Sequence, residues 1–138
     1  MANTLSHVGI HFIFSTKDRE PLIVDAYRRQ LHLYIIGIIK KLNGHVIVIN
    51  SVEDHVHLYS ELPKNISISK FMQNIKGASS RWININILCY KQFAWQDGYA
   101  AFSVSKNNNS QLIKYINNQK QHHKNISYMD EIKLITNQ

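Results

Sequence analysis

Two histidines separated by one residue, His55-Val56-His57, stand in the stretch SVEDHVHLYSELP. On a strand, residues two apart point to the same side, so the two imidazoles would lie side by side and could hold one divalent cation. Spacing alone is a weak signal, because two surface or hydrogen-bonded histidines give the same pattern. A second group of residues offers what such a cation could serve. Tyr115, Gln119 and His122 are spaced i, i+4 and i+7, which puts them on one stripe of a helix. A phenol has an ordinary pKa of about 10, so Tyr115 needs help to act as a nucleophile, such as a phosphate polarised by a metal. Gln119 can add a neutral carbonyl oxygen to that metal. The competing reading makes Tyr115 an ordinary residue of an amphipathic helix. Glu53 or Asp54 could supply an oxygen ligand, a hydrogen bond to a ligand, or only a turn. The adjacent pair His122-His123 diverges by about 100° on a helix and suits phosphate contact or solvent better than a shared ion.

The elements that must position these groups are legible from periodicity. HVGIHFIF at 7–14 alternates as a strand, with Val8, Ile10, Phe12 and Phe14 on one face and His7, Gly9 and His11 on the other. A polar loop, STKDREP, follows. Asp25 is placed to cap a helix that runs to about Leu42 and stops at Asn43-Gly44. HVIVIN at 45–50 reads as a buried strand, and a turn at Glu53-Asp54 joins it as a hairpin to the histidine strand, 55–62. There Val56, Leu58 and Leu62 face the core, while His55, His57, Tyr59 and Glu61 face away. Ser67 or Ser69 can cap a second helix, ending between Arg81 and Asn86. The segment 87–100 is irregular, AFSVS at 101–105 is a fourth strand, and Ser110 can cap a third helix reaching about His123. The tail to Gln138 has no clear pattern beyond a short final helix.

This order predicts an α+β fold: a ferredoxin-like split βαβ, with a four-stranded antiparallel sheet, two helices on one face, and a C-terminal helix carrying the tyrosine. Residues 1–138 read as one domain. Sixteen Lys and Arg against nine Asp and Glu give a net charge of +7, which favours a polyanionic partner such as nucleic acid, or simply solubility. Lys17, Arg19, Lys70, Lys76 and Arg81 are candidate phosphate contacts. Phe93, Trp95, Tyr99 and Trp82 could stack on unpaired bases or pack in the core. Cys89 is the only cysteine, which speaks against a disulfide framework or a Cys-based zinc site and fits a cytoplasmic location. The N-terminus does not look like a signal peptide, and no apolar run approaches membrane-spanning length. The absence of P-loop and dinucleotide fingerprints disfavours ATP-driven and NAD-dependent chemistry.

Taken together, HFIFSTKDREPLI, INSVEDHVHLYSELP, SKFMQNIKGASSRWI, WQDGYAAFSVS and YINNQKQHH resemble the single-tyrosine HUH transposases of small bacterial insertion sequences and their domesticated relatives. The resemblance runs in order from about residue 7 to residue 130. It implies a homodimer that acts on single-stranded DNA carrying imperfect hairpins and forms a 5′-phosphotyrosine intermediate. It makes His55, His57 and Gln119 ligands of Mg²⁺ or Mn²⁺ and Tyr115 the nucleophile. The tyrosine helix can belong to either subunit in that family. Three positions depart from the family pattern. Ala100 stands where Gly is frequent, Glu61 puts a carboxylate on the histidine face, and the chain ends with SYMDEIKLITNQ where many relatives continue. Two other functions stay open: a domesticated, non-catalytic module that binds DNA or RNA hairpins, and a metal hydrolase using only the histidine pair and a water.

Overall fold

Alternating apolar residues make Gly9–Ser15 a strand, β1, whose Ile10, Phe12 and Phe14 enter the core. The computed structural model describes residues 5–87 and 91–118. After β1 come a single 3-10 turn, Lys17–Arg19, and then helix α1, Asp25–Lys41. Strands β2, His45–Ser51, and β3, His55–Glu61, form the expected hairpin, followed by helix α2, Ile68–Asn86. Strand β4, Ala100–Val104, and helix α3, Asn109–Asn117, complete the order. The sheet is antiparallel with strand order β2-β3-β1-β4, the ferredoxin-like arrangement that the sequence predicts.

Both long helices lie on the face that carries Ile10, Phe12, Phe14, Val56 and Leu58. Leu31, Ile35 and Ile39 of α1 and Phe71, Met72, Ile75 and Ile83 of α2 fill the layer between. Each such fully buried side chain contributes about 1.5–3 kcal/mol through the water it leaves. Phe93 and Trp95, from the irregular segment, join this core, with ring centroids 4.8 Å apart. Neither is a base-stacking platform. Trp82 is half-buried and stacks on Tyr34 at 5.0 Å, while Tyr99 stays 38% exposed.

Several ends differ from the sequence reading. Asp25 does not cap α1; Val24 is the N-cap, and Asp25, the first helical residue, pairs with Arg28 at 2.6 Å. At the other end Asn43 takes the left-handed conformation, φ 67°, which asparagine tolerates. Gly44 is needed because of crowding: a Cβ there would stand 2.7 Å from Ile39 Cγ2. Ser67 is the cap of α2, its hydroxyl accepting from the Lys70 amide at 3.1 Å. Ser110 lies inside α3, because the 3-10 turn Lys106–Asn108 runs straight into that helix. Strand β2 is only half-buried. It is an edge strand, with a bulge between Val46 and Val48, so its β-branched residues mark a pleated surface rather than full burial.

Candidate active site

The sheet face away from α1 and α2 carries His11, His55, His57, Tyr59 and Asn50. The sequence left this face open. In the structure it is covered: His11, His55, His57 and Tyr59 are 0–1% exposed, and α3 lies across β2 and β3. Asn50 pairs with His57 across the hairpin and fastens the helix. Its Nδ2 donates to the carbonyls of Ile116 at 2.9 Å and Asn117 at 3.3 Å, while its Oδ1 accepts from the Ser51 amide at 2.9 Å. These carbonyls belong to the last turn of α3, where helix partners are missing. The clamp sets Tyr115 edge-on to His57, with ring centroids 6.0 Å apart and planes at 72°.

The histidine rings are themselves held. His55 and His57 have centroids 5.3 Å apart. His55 Nδ1 lies 2.7 Å from Asp54 Oδ1, and His57 Nδ1 lies 2.8 Å from His11 Nε2. With each Nδ1 engaged, Nε2 is the nitrogen that can serve a cation. At metal–nitrogen bonds of about 2.1 Å, two imidazoles on one ion at roughly 90–110° have centroids about 4.5–5.3 Å apart. The donor set therefore fits one small cation. Among the described residues, no three His, Cys, Asp or Glu side chains gather as metal ligands, so further ligands would come from amide, water or phosphate oxygens. Gln119, His122 and His123 lie outside the described residues. Glu61 pairs with His7 Nδ1 at the far end of β3, which accounts for a carboxylate on this face.

Asp54 does more than turn the chain. Its Oδ2 accepts from Arg19 Nε at 3.3 Å and Nη2 at 3.2 Å. Burial pushes its pKa up, but the hydrogen bond and charge of His55, with those of Arg19, outweigh that and hold it below the usual carboxylate range. Thr16 ties the basic loop to the same turn: its amide donates to the Asp54 carbonyl at 2.9 Å, and its hydroxyl reaches the same oxygen at 3.2 Å. Asp18 and Arg19 both sit in the left-handed region, φ 55° and 57°, at a cost of order 1–3 kcal/mol each. The strained turn brings Arg19, through Asp54, to the edge of the histidine pair, and Lys17 is exposed in the same turn.

The other candidate cations lie elsewhere. Lys70 and Arg81 are exposed on α2, in the layer on the opposite side of the sheet. Lys76 Nζ donates to the carbonyls of Gln96 and Gly98, each at 2.7 Å, and burial lowers its pKa although Asp97 opposes the shift. It closes the 96–98 loop against α2.

The family described as IS200-like transposases matches residues 4–119, a span that includes the histidine strand, the basic loop and the tyrosine helix. The chain belongs to this family. The transposase for insertion sequence element IS200 of Salmonella typhimurium is 26% identical over 130 residues, covering 86% of this chain and 81% of that protein. The ISDra2 transposase TnpA of Deinococcus radiodurans is 28% identical over 117 residues, 79% of this chain and 81% of its own length. Among solved structures, a candidate transposase from Deinococcus radiodurans R1 superposes with a TM-score of 0.69 at 23% identity, over 86% of this chain and 95% of that one. A REP-associated tyrosine transposase bound to a REP hairpin superposes with a TM-score of 0.66 at 15% identity, over 89% and 74%. At these identities the likeness shows the fold.

As an IS200-like transposase the chain is a DNA-processing enzyme. Asn50 and His11 are the residues at the site that sequence reasoning did not assign; of the roles open to Asp54, the structure shows the hydrogen bond to His55. Asn50 had a visible signal, as the lone asparagine ending an apolar strand. Among the described residues, no helix is long and apolar enough to cross a membrane.

Proposed function

We propose that this transposase cleaves and rejoins single-stranded DNA at hairpin-marked element ends, with Tyr115 as nucleophile and a Mg²⁺ or Mn²⁺ ion held by His55 and His57. The observation that carries this reading is the placement of Tyr115 edge-on to His57. It brings a nucleophile and two nitrogen ligands to one spot on a basic protein of a transposase family. The Tyr115 oxygen attacks the scissile phosphorus and loses its proton. The bond from phosphorus to the 3′ oxygen breaks, and the departing strand takes up a proton as a free 3′-OH. The DNA 5′ phosphate remains esterified to Tyr115. Rejoining is the reverse attack by a 3′-OH, which releases the tyrosine. A bound cation would polarise the phosphate and offset its growing charge.

Gln119, four residues after Tyr115 in the sequence, is the proposed third ligand. Arg19, bonded to Asp54 beside His55, and the neighbouring Lys17 are the proposed phosphate contacts. A hairpin substrate is supported by the solved relative that holds a REP hairpin. A cytoplasmic homodimer follows from the same family reading. Incubation of the chain with its own element ends and Mn²⁺ tests the proposal. Nicking of the single strand, with duplex DNA left intact, is expected, and His57→Ala should abolish it. Hairpin binding without nicking in the wild type would leave the non-catalytic, domesticated module as the correct reading.

A further inference from the structure

His11 belongs to none of the groups that carry the proposed chemistry, yet it lies against the histidine pair. It stands on β1 at 1% exposure, with its Nε2 2.8 Å from Nδ1 of His57. The sheet register explains the contact. His11 pairs directly with Tyr59, while His57 pairs with Ile13, so His11 and His57 are diagonal neighbours within reach of each other's rings. The rings lie with centroids 5.0 Å apart and planes at 27°.

A hydrogen bond between two neutral imidazoles needs hydrogen on one nitrogen and a lone pair on the other. For His57 to hold a cation through Nε2, the hydrogen must sit on its Nδ1. His57 Nδ1 then donates, and His11 Nε2 accepts. We propose that His11 is a positioning residue that locks His57 in the Nδ1–H tautomer and turns its Nε2 toward the cation. Asp54 performs the same task for His55, since a carboxylate oxygen accepts from its Nδ1. The two acceptors differ in charge, and the difference has a use. A second carboxylate under the site would repel the phosphodiester, whereas a neutral imidazole orients His57 without adding negative charge.

This inference rests on the metal-site reading, and long-range nitrogen–proton NMR of the metal-free protein separates the two. The wild type should show His57 as Nδ1–H. His11→Gln, whose side-chain oxygen can accept in the same place, should keep that tautomer. His11→Leu should lose it and show Nε2–H at His57. Mn²⁺ affinity, read by paramagnetic resonance, should fall on the order of 10–100-fold in His11→Leu and much less in His11→Gln. A wild-type spectrum with Nε2–H at His57 would overturn the proposal, and it decides the matter even if the leucine variant fails to fold. An unchanged tautomer in folded His11→Leu would also overturn it. Nδ1–H at His57 in a wild type that binds no Mn²⁺ would support the role of His11 and remove the metal reading instead.

Discussion

Replacing Asn50 should loosen the tyrosine helix without unfolding the sheet. Its amide nitrogen makes two hydrogen bonds to the last turn of α3, one at 2.9 Å and one at 3.3 Å. A net hydrogen bond contributes about 0.5–1.5 kcal/mol, the longer one at the low end. The Asn117 carbonyl is near water, so little extra penalty attaches to leaving it unbonded. Asn50→Ala should therefore weaken α3 docking by about 1–2 kcal/mol, a factor of roughly 5–30 in the opening equilibrium. Asn50→Asp keeps the acceptor for the Ser51 amide but sets a carboxylate against helix C-terminal carbonyls, so its loss should be at least as large. Amide hydrogen exchange reads this directly, since local opening sets the protection of α3. Protection across 112–117 should fall by that factor, while the β1 and β3 amides keep theirs. Unchanged α3 protection in both variants would refute the clamp, and with it the account of how Tyr115 is held against His57.

Other perturbations follow from the same geometry. Asp54→Ala removes the acceptor for His55 Nδ1 and the partner of Arg19, and should weaken Mn²⁺ binding on the order of 10–100-fold by calorimetry; Asp54→Asn, which can still accept from His55, should lose less. Half-buried His32, whose ring bonds to the Ser51 hydroxyl at 2.7 Å, has its pKa pushed down to about 4 by desolvation and then by Arg28. The unfolded chain binds a proton there near pH 6.5 and the folded chain does not, so stability should decline as pH falls from about 6.5 to 4. Urea melts of His32→Gln across that window should show a shallower decline; an equal decline would remove His32 as the cause. Gly44→Ala presses a methyl onto buried Ile39 and should cost about 1–3 kcal/mol in thermal or urea melts.

The fold was readable because its strands and helices declare themselves by period, and βαββαβ order leaves few topologies. The alternation around His55 and His57 correctly put both rings on the face away from α1 and α2. What covers that face was not readable. Docking of α3 depends on Asn50, which meets the helix across 66 residues of sequence. The link from His11 to His57 depends on register, which alternation within a strand does not express. Phe93 and Trp95 sit in a segment without period, so only the bridge of Trp95 to Thr16 and its neighbours explain their burial. Edge and central strands share β-branched composition, hence the misplaced burial of β2.

The most direct test of the central claim is to trap the covalent step. The chain is mixed with single-stranded DNA bearing its own element-end hairpin and Mn²⁺, and the product is digested and mapped by mass spectrometry. The account predicts a nucleotide esterified to the Tyr115 oxygen through its 5′ phosphate, absent in Tyr115→Phe and absent when the cation is chelated. An adduct on any other residue, or strand cleavage that persists in Tyr115→Phe, would contradict it.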